Sequence, residues 1–118
     1  MNKMLFLVFA GVDEGENLAR AINALWIAQE FHEAGDEAAV IFYGMGTRWV
    51  GALESEDHPQ HATWMAHKHL VAGACAHCAS VFGAEDDVKA AGLELIADHG
   101  SHPSIRRYVQ DGYQVTVF

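Results

Sequence analysis

The sequence predicts an α/β fold, a three-layer sandwich around a mostly parallel sheet of four to five strands. Three observations predict it. The chain opens on the continuous apolar run "MLFLVF", which lacks polar alternation and so suits a strand covered on both faces. Further short apolar runs recur at "EAAVIFYG", "LVAGA" and "YQVTVF". Helical segments separate most of these runs, and strands alternating with helices pair in parallel through right-handed crossovers. At 118 residues, without internal repeats or a linker-like tract, the chain reads as a single domain, 1–118.

Each element follows from its local pattern. Residues 4–9 form the first strand, and Gly11 with the acidic "DEGE" ends it. From Glu16 to Ala34 the pattern is helical: Leu18, Ile22 and Leu25 share one face, with Ala21 and Ala28 beside them, and Gly35 follows as a C-terminal cap. Ile27 and Phe31 fall on the opposite side, which predicts either a partly covered surface pair or a subunit contact. Residues 37–43 form the second strand. Gly44, Gly46 and Gly51 predict a loop after it. His58 to His69 reads as a helix with Asp57 as cap and Pro59 in its first turn. Leu70 to Ala74 is a short third strand, followed from Cys75 by a helix to about Phe82. Glu85 to Ala91 is a further helix, and Leu93 to Ile96 is too short for periodicity to decide. Ser101-His102-Pro103 opens a last helix that Gly112 closes, and residues 113–118 make the final β-branched strand.

Composition excludes several classes. Half of the chain is apolar and 19% is charged, so a packed core is expected rather than disorder. Seven Lys and Arg against sixteen Asp and Glu give a formal charge of −9. That balance cannot build the basic face needed for a nucleic acid or an anionic membrane. No apolar run reaches the ~18–20 residues of a bilayer span, and the N-terminal run reads as a buried strand rather than a signal peptide. Two cysteines make no disulfide framework, so a cytoplasmic location is expected.

The chemistry concentrates in "GACAHCA", residues 73–79. Cys75 stands where the third strand gives way to a helix, and Cys78 lies one turn on, on the same face. In open α/β sheets functional groups gather at such carboxyl ends. Free backbone N–H groups there favour an anion and can lower a thiol from its usual pKa of ~8.5. Three readings stay open at this point: a redox or sulfur-handling pair, half of a metal site, or two small buried residues. The eight histidines, among them His58, His61, His67, His69, His99 and His102, invite a metal-binding reading, but they precede and follow the cysteines at irregular gaps unlike a zinc-finger spacing. Asp13 and Glu14 follow the first strand, either as helix-starting acids or as neighbours of Cys75 if the strands adjoin. There is no dinucleotide fingerprint, phosphate loop or hydrolase elbow.

The sequence resembles the DsrE/DsrF-like sulfur-relay family, with the YchN-like fold. The resemblance rests on "MLFLVFAG" with its acidic turn and the helix "NLARAINALWIAQEFHEAG", on "AVIFYGMG", on "ACAHCASVFGA" with Cys75 followed eight residues later by Gly83, and on "DGYQVTVF". It implies that Cys75 carries persulfide sulfur, that Cys78 matches a second cysteine of some members, and that the chain forms a homo-oligomer, trimer or hexamer. The expectation is therefore a cytoplasmic sulfur carrier or sulfurtransferase, exchanging sulfur with donor and acceptor proteins. Cys75 and Cys78 would be its catalytic residues, with no cofactor and no metal. Two alternatives are a non-catalytic oligomeric binding module of the same fold and a His/Cys metal-binding protein.

Overall fold

A computed structural model describes residues 1–13 and 15–118. The described residues form five strands, β1 (Lys3–Val8), β2 (Glu37–Phe42), β3 (Val71–Cys75), β4 (Glu94–Ile96) and β5 (Gln114–Val117). All neighbouring pairs are parallel, in the order β4-β3-β2-β1-β5. The helices are α1 (Glu16–Glu33), α2 (Trp49–Glu54), α3 (His61–His67), α4 (Ala76–Val81), α5 (Glu85–Ala90) and α6 (Ile105–Gln110). This is the α/β three-layer sandwich that the sequence predicts.

The two outer layers are unequal, and the strand order explains why. The chain steps from β1 to β4 in one direction, then crosses the whole sheet to place β5 beside β1. Right-handed crossovers put the helices of the first run on one face and the returning helix on the other. The first face buries Phe6, Val8, Val40, Phe42 and Ala74 against Leu25, Trp49, Leu53, Trp64 and Val88. The second face buries Leu5, Leu7, Ile41, Tyr43, Cys75 and Ile96 under Ile105, Tyr108 and Tyr113, so among the described residues α6 and its flanks supply most of its cover, with Cys78 at one end. None of the residues of α6 itself is fully buried.

Three local expectations are corrected. The glycine-containing stretch after β2 is not a plain loop: Gly44–Arg48 is a 3-10 turn and α2 follows directly. Trp49, Val50 and Leu53, all buried, supply the apolar stripe that outweighs the glycines. The last helix begins at Ile105 rather than Ser101, because residues 99–102 fold into a tight turn in which His99 and His102 exchange backbone hydrogen bonds of 2.8 and 3.1 Å. Ile27 and Phe31 are the partly covered pair that the sequence offered as one of its two readings. Both pack on the chain's own core, with the Phe31 ring 6.2 Å from Phe6, because α1 lies low enough on the sheet to use a wide face. Trp26 is the exposed large residue of that helix. The region read as one helix from His58 to His69 is shorter, with α3 followed by a 3-10 turn at Lys68–Leu70, and residues 94–96 resolve as a strand.

A half-buried carboxylate ties α2 to α3. Glu54 accepts hydrogen bonds from the Trp64 indole N–H and from Lys68 Nζ at 3.0 Å. Burial alone would raise its pKa, but those two donors, with the Lys68 and His61 charges, hold the carboxyl below its ordinary value. The ionised form is favoured by folding, so its stabilisation is present above the ordinary carboxylate pKa and is lost as the pH falls through the lower folded value. Glu54→Gln is expected to cost about 1–3 kcal/mol near neutrality. It is also expected to flatten the acid limb of the stability curve, read by urea unfolding across acidic pH. An acid limb unchanged in the variant would assign that limb to other groups.

Candidate functional site

Cys75 ends β3, and its side chain turns toward the thinly covered face. Two features of the local sequence place it there. Gly73 lets β3 lie close to β4, since a Cβ at this position would overlap the Glu94 carbonyl oxygen and crowd Ile96. Gly73→Ala is therefore expected to lower stability by about 1–3 kcal/mol and to shift the chemistry-bearing end of β3, seen as changed amide shifts at Cys75 and Ile96. Unchanged shifts would mean that β4 absorbs the methyl group. The second feature is capping: Cys75 is the N-cap of α4, and the Cys78 N–H donates to its Sγ at 3.5 Å.

The sulfur environment differs from the sequence expectation. Cys75 is 0% exposed, not presented to solvent. Its thiol is pushed up by burial, partly offset by the backbone N–H of Cys78. The Cys78 side chain raises it further and the His77 N–H lowers it. The expected thiol lowered by helix-end amides is thus corrected: desolvation exceeds what two amides return. Cys78 is partly exposed, and both cysteines are free thiols.

The cover over Cys75 is the connection from β4 to α6, residues 97–104. It brings His102 Nδ1 to 3.4 Å from Cys75 Sγ. The connection is pinned at several points. The His77 N–H donates to the Ser101 carbonyl at 3.0 Å. The Ser104 N–H donates to Asp98 Oδ1 at 2.7 Å, and Asp98 Oδ2 pairs with Arg107 at 2.9 Å. The His77 and His102 rings lie 4.8 Å apart, and both residues are exposed. Tyr43, at the end of β2, completes the wall and stacks on Phe9 at 4.9 Å. Its phenol is pushed up to about 12 by burial first and then by Cys75, Cys78, Asp98 and Tyr108, so it stays neutral.

Of the residues singled out by sequence, the structure brings together Cys75, Cys78, His77 and His102. It does not bring in the others. β2 separates β1 from β3, so Asp13 is no strand neighbour of Cys75; it accepts instead from Asn17 Nδ2 at 3.0 Å, while Glu14 lies outside the described residues. The histidines of the 58–69 segment are used locally. His61 and His67 bond the Leu53 and Thr63 carbonyls at 2.8 and 2.7 Å, His58 Nδ1 accepts from the Gln60 N–H, and His69 lies against His32. Among the described residues no three His, Cys, Asp or Glu side chains converge as a metal ion would require.

Tyr43 and the partnership of Cys75 with His102 are what sequence reasoning missed. The available signal was strand order: residues after β4 must face residues after β3 once those strands adjoin. No protein-family model, curated protein or solved structure matches this chain.

Proposed function

We propose that the protein is a DsrE/DsrF-like sulfur-relay protein, cytoplasmic and homo-oligomeric as a trimer or hexamer, that carries persulfide sulfur on Cys75. The observation that carries the reading is the site itself: a free thiol at the carboxyl end of a parallel strand, with a second free thiol one helical turn away and an imidazole in contact. Cys75 attacks the terminal sulfur of a donor persulfide and holds it as a persulfide. Cys78, nearer the surface, attacks the inner sulfur of the loaded Cys75, releasing the carried sulfur as hydrosulfide and leaving a Cys75–Cys78 disulfide. A direct handover to an acceptor thiolate avoids that step. The burial of Cys75 requires the 97–104 connection to swing aside during exchange.

The test is to incubate the full chain with a small-molecule persulfide donor and weigh the intact protein. Wild type is expected to gain one sulfur atom, and Cys75→Ser to gain none on that residue. Absence of the adduct on wild type, or an undiminished adduct on Cys75→Ser, removes the reading.

One observation favours a second reading. A cysteine that is fully buried with a raised pKa also fits a binding module that keeps the scaffold without the chemistry. That reading expects Cys75 to alkylate as slowly in the native protein as global unfolding allows.

A further inference from the structure

We propose that His102 is the base that ionises Cys75, and that it links the buried sulfur to solvent. This assignment rests on the sulfur-relay reading for its biological use, but the proton transfer itself does not.

Three observations carry it. His102 Nδ1 stands 3.4 Å from Cys75 Sγ, within reach for a sulfur hydrogen bond. His102 is exposed while Cys75 is 0% exposed, so the ring spans from the sulfur to water. The turn that carries the ring is also held in place at the backbone. The His102 backbone is locked to His99 by two hydrogen bonds, and the turn is tied to α4 through the His77 N–H and the Ser101 carbonyl. A base with this placement matters because a lone thiolate in a desolvated site is costly. A thiolate beside an imidazolium costs less, since the opposite charge offsets part of the desolvation penalty.

The chemistry balances without an outside oxidant. With the neutral imidazole protonated on Nε2, the Cys75 S–H donates to Nδ1. The proton moves to Nδ1, leaving a thiolate and an imidazolium. The thiolate attacks the terminal sulfur of a donor persulfide, R–S–SH. A new S–S bond forms on Cys75 and the donor's S–S bond breaks. The bonding pair stays on the donor sulfur, R–S⁻, which takes the proton from His102 and leaves as a thiol. The sulfane sulfur changes carrier, and no net oxidation or reduction occurs.

The neighbouring ionisable groups do not supply the same function. Tyr43, from β2, is held neutral by burial. Asp98 is committed to Arg107 of α6 and to the Ser104 N–H. His77 and Cys78 approach from α4, and Tyr108 from α6. His99 joins His102 through backbone atoms. Among these, His102 makes the imidazole contact to the sulfur.

The test measures iodoacetamide alkylation of Cys75 across pH, in the full chain carrying Cys78→Ser so that one thiol reports. With His102 present, the rate is expected to be appreciable already near neutrality, because the imidazole can accept the thiol proton there. In His102→Gln the rate is expected to rise only in the range of the buried thiol. The rate near neutrality is then expected to fall on the order of 10²-fold, with both proteins converging at alkaline pH where no base is needed. His102 is exposed and its turn is closed by backbone atoms, so the variant should fold; matching thermal unfolding confirms that. Equal rates and an unmoved limb overturn the proposal. So does a rate that rises at every pH, which would make His102 a cover rather than a base. Persulfide loading is scored separately. A His102-dependent profile without sulfur loading keeps the base and removes the relay, whereas loading that is indifferent to His102→Gln, with an unmoved alkylation limb, keeps the relay and removes the base.

Discussion

Trp64→Ala is expected to lower the unfolding free energy by about 3–5 kcal/mol, a large part of the ~5–15 kcal/mol of an ordinary domain. Trp64 is fully buried, and its ring meets Phe42 of β2 at 5.9 Å. Truncation removes a large apolar surface and leaves a cavity between α3 and the sheet, which the parallel strands cannot collapse to fill. It also removes one of the two side-chain donors to Glu54. Urea unfolding of the variant at neutral pH gives the number directly. A loss below about 1.5 kcal/mol would mean that α3 repacks onto Phe42 and that the contact between α3 and the sheet is looser than described.

Gly46→Ala is expected to cost about 3 kcal/mol and to reach the cysteine site as well. A Cβ at Gly46 would overlap the Val8 carbonyl oxygen and come within 3.2 Å of the Ala10 carbonyl oxygen. Both are backbone atoms, so no side chain can rotate away. The same Val8 carbonyl accepts the Tyr43 N–H at 2.9 Å, and the Ala10 carbonyl accepts the Trp49 indole N–H at 2.7 Å. Separating the two segments weakens both bonds, and Tyr43 forms part of the wall around Cys75. The same turn contacts α4, where Arg48 Nε donates to the Phe82 carbonyl at 2.9 Å. Denaturant unfolding checks the stability, and the native alkylation rate of Cys75 checks the site. Wild-type values for both would show that the turn after β2 tolerates a Cβ and that its approach to β1 is not fixed by glycine.

The residues differ in how far their fate was visible in advance. "MLFLVF" announced a doubly covered strand because a parallel strand must bury both faces, and β1 does so from Leu5 to Val8. "ACAHC" announced a strand-to-helix junction with two thiols on one side, a relation set by local spacing alone. Residues 44–54 were harder, because their glycines signalled a loop while Trp49, Val50 and Leu53 carried a weaker helical stripe that packing then stabilised. Ile27 and Phe31 were legible as a partly covered pair, but which neighbours cover them was not, because helical angle says which residues share a side and not how wide a band of α1 the sheet will cover.

Alternation of apolar runs with helices, and the three-residue step between Cys75 and Cys78, were settled by the chain's own short-range pattern, since φ/ψ preference and side-chain periodicity act within one or two turns. The sealing of Cys75, the rise of its thiol and its contact with a histidine 27 residues away were settled elsewhere. They depend on β4 lying beside β3 and on the return across the sheet that draws residues 97–104 over the sulfur. Desolvation and a sulfur–imidazole contact are properties of atoms brought close through space, and only the assembled sheet brings these together.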